Sequence, residues 1–154
     1  MIRWAKVMAL TGALLSPGPV VAQDAPLDPV VTFFTALSDS NPVQMRTAVT
    51  DDVQILEQGE VWDLTKLLSI MKPSTSVRRN FFSVISEHVR GDTALINYWN
   101  KALVTLDTGE QRTRAWLESV VAIRVDGQWK ILQLHSSRLT PEQIPSNVEF
   151  VERR

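Results

Sequence analysis

Apolar positions follow one rhythm in the first half of the chain and another in the second. Val30, Phe33, Phe34 and Leu37 recur at helical spacing after Asp28-Pro29, a capping residue followed by the proline tolerated at a first helical position. A second such start, Asn41-Pro42, leads Val43, Met45 and Val49 into a shorter helix that ends near Asp51-Asp52. Val53 to Trp62 alternates loosely around Gly59 and predicts a strand or bent hairpin, and Leu64, Leu67, Leu68 and Met71 predict a third helix stopped by Pro73. From Ser74 to Thr140 proline disappears while Val, Ile, Phe, Trp, Leu and Thr accumulate, as suits long strands that need every ladder donor. Turn signals at Gly91-Asp92, Asp107-Thr108-Gly109 and Asp126-Gly127 cut this stretch into four strands, near 77–90, 93–106, 110–125 and 128–138. Helices first and a bent antiparallel meander after predict an α+β fold in which the sheet curls around the helices and leaves a cavity open at one end.

Turn geometry turns the strand pattern into chemistry. A two-residue loop at Asp126-Gly127 places Glu118 opposite His135, Trp116 opposite Ser137 and Val120 opposite Gln133. A bulged loop at Gly109 places Tyr98 opposite Glu118 and Asn100 opposite Trp116; an even-numbered loop would put Asn97 and Trp99 there instead. A two-residue loop at Gly91-Asp92 sets Ile85 opposite Tyr98 and Ser83 opposite Asn100, turns Phe81 to the same face and leaves His88 opposite Leu95 on the reverse. One face is then aromatic and polar. Its reverse, with Leu117, Val121, Ile123, Leu132 and Leu134, is nearly plain hydrocarbon, and no helix remains to cover it, so the reading expects a homodimer through the outer sheet face.

The ends and the charge balance add to this picture. Arg3 and Lys6, the apolar run from Val7 to Leu15 and the small residues up to Ala22 have the form of a signal peptide, residues 1–22, followed by a domain over 23–140 and an irregular arm over 141–154. A largely apolar run of nine residues does not span a bilayer, so export without a stable membrane anchor is expected, with the periplasm as destination. Cleavage leaves 14 basic against 17 acidic side chains, which offers no field for nucleic acid. With two histidines, placed on opposite faces, and no cysteine, neither a metal nor a cofactor is expected. No phosphate loop or serine-nucleophile motif occurs.

Asp52-Val53, the run Leu56-Glu57-Gln58-Gly59-Glu60-Val61-Trp62 and the closing run from Asp126-Gly127-Gln128-Trp129 to His135-Ser136-Ser137 resemble the nuclear transport factor 2-like superfamily, and within it the exported SnoaL-like domains of unknown function. The ending is also similar to the association domain of calcium/calmodulin-dependent kinase. The resemblance covers about Asp28 to Arg138 and implies a cone-shaped, cystatin-like roll. It implies that positions matching Tyr98, Asn100 and Val120 line a cavity; two of these are arginines in the kinase domain, and here they are Asn100 and Val120. Their absence argues against an anion held by guanidinium groups and for a neutral to weakly acidic pocket. Superfamily members similar to ketosteroid isomerases use a pocket carboxylate and a tyrosine, residue types that Glu118 and Tyr98 supply.

The leading expectation is an exported module that binds a small apolar or amphipathic molecule, with His135, Glu118 and Tyr98 at the cavity floor and Trp62, Asn100, Trp116, Gln133 and Ser137 around it. The alternatives are an isomerase, dehydratase or hydrolase that transfers protons through the His135–Glu118 pair, and a dimeric assembly module without ligand. Arg78-Arg79 and Arg112 with Arg114 are read as exposed strand ends, and Trp129 opposite Arg124 as a structural cover.

Overall fold

In the computed structural model, residues 25–71 and 74–154 are described; the expected signal peptide and Pro73 lie outside them. Three helices precede the long strands. Helix α1 (Asp28–Ser38) buries Val30, Phe33 and Phe34 of the expected stripe, together with Ala36, while Leu37 is half-buried against the core. Asp28 does not cap this helix: Leu27 holds the cap position, and the Asp28 carboxylate accepts from the Ala25 amide at 2.7 Å, one turn outside. Asn41 does cap α2 (Pro42–Thr47), accepting from the Gln44 amide at 3.1 Å. Asp63, which the spacing did not single out, caps α3 (Leu64–Ile70) by accepting from the Lys66 amide at 2.7 Å.

Strands β1 (Val49–Glu57), β2 (Glu60–Trp62), β3 (Val77–Arg90), β4 (Thr93–Thr105), β5 (Gln111–Val125), β6 (Gln128–Leu139) and β7 (Val151–Glu152) form one curved, unclosed sheet. Their order is β2-β1-β6-β5-β4-β3-β7, antiparallel except that β1 runs parallel to β6. Phe34 of α1 meets Phe82 at 5.8 Å between ring centres, and Phe82 meets Tyr98 at 5.9 Å, so the helix seats on an aromatic column inside the curl. Met45, Ile96, Val120 and Ile131 complete a dry core around it. The α+β roll expected from the sequence is the fold observed.

The four long strands begin and end within about a residue of their predicted limits, because their turns were encoded locally. At Asp126 and Gly127, φ is +51° and +81°, the left-handed pair that a tight hairpin of this type requires. Two ladders nevertheless change register. Leu132 is an extra residue in β6: Ala122 pairs with Ile131, but Val121 pairs with Gln133, and from there Glu118 faces Ser136 and Ser119 faces His135. Ile85 is an extra residue in β3, so Val84, not Ile85, faces Tyr98, and Phe82, not Ser83, faces Asn100. Between β4 and β5 the bulged-loop register holds throughout, with Tyr98 opposite Glu118 and Asn100 opposite Trp116.

The arm read as irregular is partly ordered onto the sheet. After a short 3-10 turn (Pro141–Gln143), β7 pairs Val151 with Phe82 and Glu152 with Phe81, and Glu152 makes an ion pair with Arg79. Lys101 on the outer face stands 4.2 Å from the Phe150 ring and 5.1 Å from that of Phe81, which therefore faces outward, against the expected register.

Candidate functional site

A cavity of about 210 Å³ opens between α1, α3 and the concave sheet face. Phe33, Phe34 and Leu37 of α1, Trp62 of β2 and Leu67 of α3 form its apolar side; Trp116, Glu118, Leu134 and Ser136 form its floor. Trp62 is held by its indole N–H, which donates to Glu60 Oε2 at 2.7 Å. Three guanidinium groups stand around this space, from Arg78 of β3, Arg114 of β5 and Arg138 of β6, with Glu57 of β1 the only carboxylate beside Glu118 in the lining. The neutral to weakly acidic pocket is thereby corrected. Absence of arginines at Asn100 and Val120 said nothing about Arg78, which the Ile85 bulge turns inward, or Arg138, which the Leu132 bulge brings opposite Trp116.

Glu118 is wholly enclosed at 2% exposure. Its Oε1 accepts from Ser136 Oγ at 2.8 Å and its Oε2 from Asn100 Nδ2 at 3.0 Å. Burial pushes its pKa up to about 7, against the opposing pull of the Ser136 and Asn100 hydrogen bonds, the nearby Tyr98 hydroxyl and the charge of Arg78. The Tyr98 hydroxyl is buried next to this carboxylate with no hydrogen bond of good distance and angle, and the Asn100 amide oxygen also lacks a partner. Burial first, then the charge of Glu118, holds the Tyr98 phenol well above its ordinary range.

Arg78 Nε donates to Asn80 Oδ1 at 2.9 Å, and its guanidinium carbon lies 5.5 Å from the Trp116 ring centre and 5.8 Å from that of Phe34. Its Nη2 is buried without a partner. Burial lowers its pKa to about 10, opposed by Glu118 and assisted by Arg114, so it stays cationic at neutral pH. Arg138 also stands near Trp116, its guanidinium carbon 5.8 Å from that ring centre. An indole flanked by two guanidinium groups beside a buried carboxylate can hold an acid by charge and an aromatic or aliphatic body by contact.

The structure sorts the expected site residues into three groups. Glu118, Trp62 and Trp116 line the cavity as expected. Tyr98 and Asn100 lie wholly buried behind Glu118 and act on it, not on the open space. His135, Gln133 and Ser137 point to the outer face: His135 sits opposite Ser119 and is exposed, and the predicted His135–Glu118 pair does not exist. A proton relay through that pair is therefore withdrawn. Ser136 and Arg138 were missed because the Leu132 bulge exchanges them for their neighbours, and Arg78 and Arg114, read as exposed strand ends, line the cavity instead. The one signal available was Ile131 and Leu134, three residues apart, which only a register break lets one strand bury on the same side. Trp129, buried with Arg124 at 4.5 Å over its ring, is the cover expected.

The model of the calcium/calmodulin-dependent protein kinase II association domain family matches residues 74–140, the four long strands. Among curated proteins none matches the chain. Similar solved structures include the association domain of that kinase from Caenorhabditis elegans, at 17% identity and TM-score 0.61 over 72% of this chain and 91% of the other. A ketosteroid isomerase-like protein from Erwinia carotovora atroseptica has 16% identity and TM-score 0.59, covering 74% and 93%. A nuclear transport factor 2-like superfamily protein from Salmonella enterica has 12% identity and TM-score 0.59, covering 78% and 92%. At these identities the likeness is one of architecture, and what it establishes is that this chain has the fold of the nuclear transport factor 2-like proteins.

Proposed function

We propose that the protein is a binding module for a small amphipathic molecule with an acidic group. The acid lies against Arg78, Arg114 and Arg138 and the apolar body between Trp116, Trp62 and Phe33. The observation that carries this reading is the buried, unpartnered Nη2 of Arg78, a guanidinium donor aimed at no protein acceptor while enclosed beside an aromatic-lined cavity. The pattern of residues 1–22 supports export to the periplasm as the place of action, and the mature chain is then expected to begin at Gln23, which intact-mass measurement of the native protein checks. Native mass spectrometry of protein purified from its source tests the binding reading: a retained acid of low mass is expected. Loss of most of that adduct in Arg138→Ala, and about tenfold weaker binding of added acid, follow from removing one charge-assisted contact.

A second reading, self-association through the outer sheet face, is supported by Leu95 and Leu117, 42% and 37% exposed, which lie on adjacent strands of that face. The match to an association domain in sequence and the likeness to one in structure favour the same reading. The two are compatible, since cavity and outer face are opposite sides of one sheet.

A further inference from the structure

A carboxylate on the floor of an anion site is at odds with the charge of its ligand. Glu118 is enclosed, its two oxygens are held by the neutral donors Ser136 and Asn100, and among the described residues no cation forms an ion pair with it. Arg78, the guanidinium whose field steadies its ionised form, lines the same cavity and has a free donor. An acid drawn to Arg78 competes for that field and adds a like charge beside Glu118, and both effects favour a neutral Glu118. The surroundings accommodate that state as well. A protonated Glu118 must donate a hydrogen bond, and the Tyr98 hydroxyl oxygen, buried beside it without a partner, can accept one; the unpartnered Asn100 amide oxygen can accept as well once that amide turns over.

We infer, on the strength of the acid-binding reading above, that an acidic ligand enters this cavity together with one proton, which Glu118 takes from solvent to become a neutral carboxylic acid. The other charged groups that face it are Arg114 of its own strand, Arg138 of β6 and Glu57 of β1; the parts of α1 and α3 in the lining are apolar. Glu118 lies enclosed beside Arg78, and burial pushes its pKa up to about 7, so it is placed to change charge when the ligand arrives.

Isothermal titration of the mature protein with 3-phenylpropionate tests this, run at about pH 8 in triethanolamine and in Tris, two cationic buffers whose ionisation heats differ and which do not compete for the arginines. The expected result is a buffer-dependent heat that corresponds to uptake approaching one proton, with Kd weakening by up to about tenfold per pH unit above neutrality. The neutral amide, 3-phenylpropanamide, is expected to bind without uptake, and Glu118→Gln to bind the acid with the same heat in both buffers. Wild-type binding with buffer-independent heat, or uptake that persists in Glu118→Gln, overturns proton coupling and leaves acid binding intact. If the variant does not fold, a flat wild-type Kd between about pH 6 and 9 delivers the same refutation. Absence of any binding by 3-phenylpropionate overturns the acid-binding reading and the coupling with it.

Discussion

Glu118 opposes the stability of the fold it sits in. Its pKa is raised in the folded protein to about 7, so between the ordinary carboxylate range and neutrality the folded state holds a proton that the unfolded state has released. The sign follows directly: stability from this group is greatest below about pH 4.5, falls as pH rises and reaches its minimum above about pH 7. Glu118→Gln is therefore expected to stabilise the protein at about pH 8, by up to about 3 kcal/mol, with the gain vanishing toward pH 4.5. Urea denaturation at the two pH values measures it, and a variant less stable than wild type at pH 8 would contradict the assignment. Much of this residue's setting was legible from the chain: the turn at Gly109 and the alternation of β4 and β5 place Tyr98 and Asn100 beside it without knowledge of the fold. Its partner on β6 was not, because one added residue upstream exchanges His135 for Ser136.

At the level of elements, helix spacing and hairpin turns are local properties and were readable, whereas a bulge is chosen by what the whole sheet must bury. In β6 an unbroken ladder would bury Gln133 and His135 and expose Leu134; the break at Leu132 reverses that, and Leu134 ends 3% exposed. The parallel pairing of β1 with β6 was equally out of reach, since no turn joins the two. Helix α3, which supplies Leu67 to the cavity wall, is held at its start by Asp63. Asp63→Ala is expected to cost about 1 kcal/mol in thermal or urea unfolding and to raise amide exchange through residues 64–70 ahead of the sheet, as hydrogen exchange would record.

For the molecule as a whole, the outer face decides whether the protein acts alone. It is less purely hydrocarbon than alternation alone implied. Asn97 donates to Ser86 and accepts from Ser119, at 2.9 and 2.7 Å, a polar band across three strands between the apolar pairs Leu95–Val121 and Trp99–Leu117. A face of this composition suits a packed, hydrogen-bonded contact between copies. Light scattering at micromolar concentration is expected to give a dimer, and Leu95→Lys with Leu117→Lys a monomer whose acid binding survives. A wild-type monomer under those conditions removes the self-association reading without touching the cavity.

The short strand at the carboxyl end also covers part of the sheet's edge, over Asn80 to Phe82. Val151 and Glu152 occupy the backbone of Phe81 and Phe82 on β3, Arg153 reaches the Asn80 carbonyl at 3.1 Å, and beyond them that margin of the sheet would offer unclaimed amides to any passing chain. Shortening the protein to end at Ser146 is expected to convert a well-behaved solution into one that forms thioflavin-positive aggregates on standing. A fusion partner appended close behind Arg154 would carry the same hazard if it pulled those residues away.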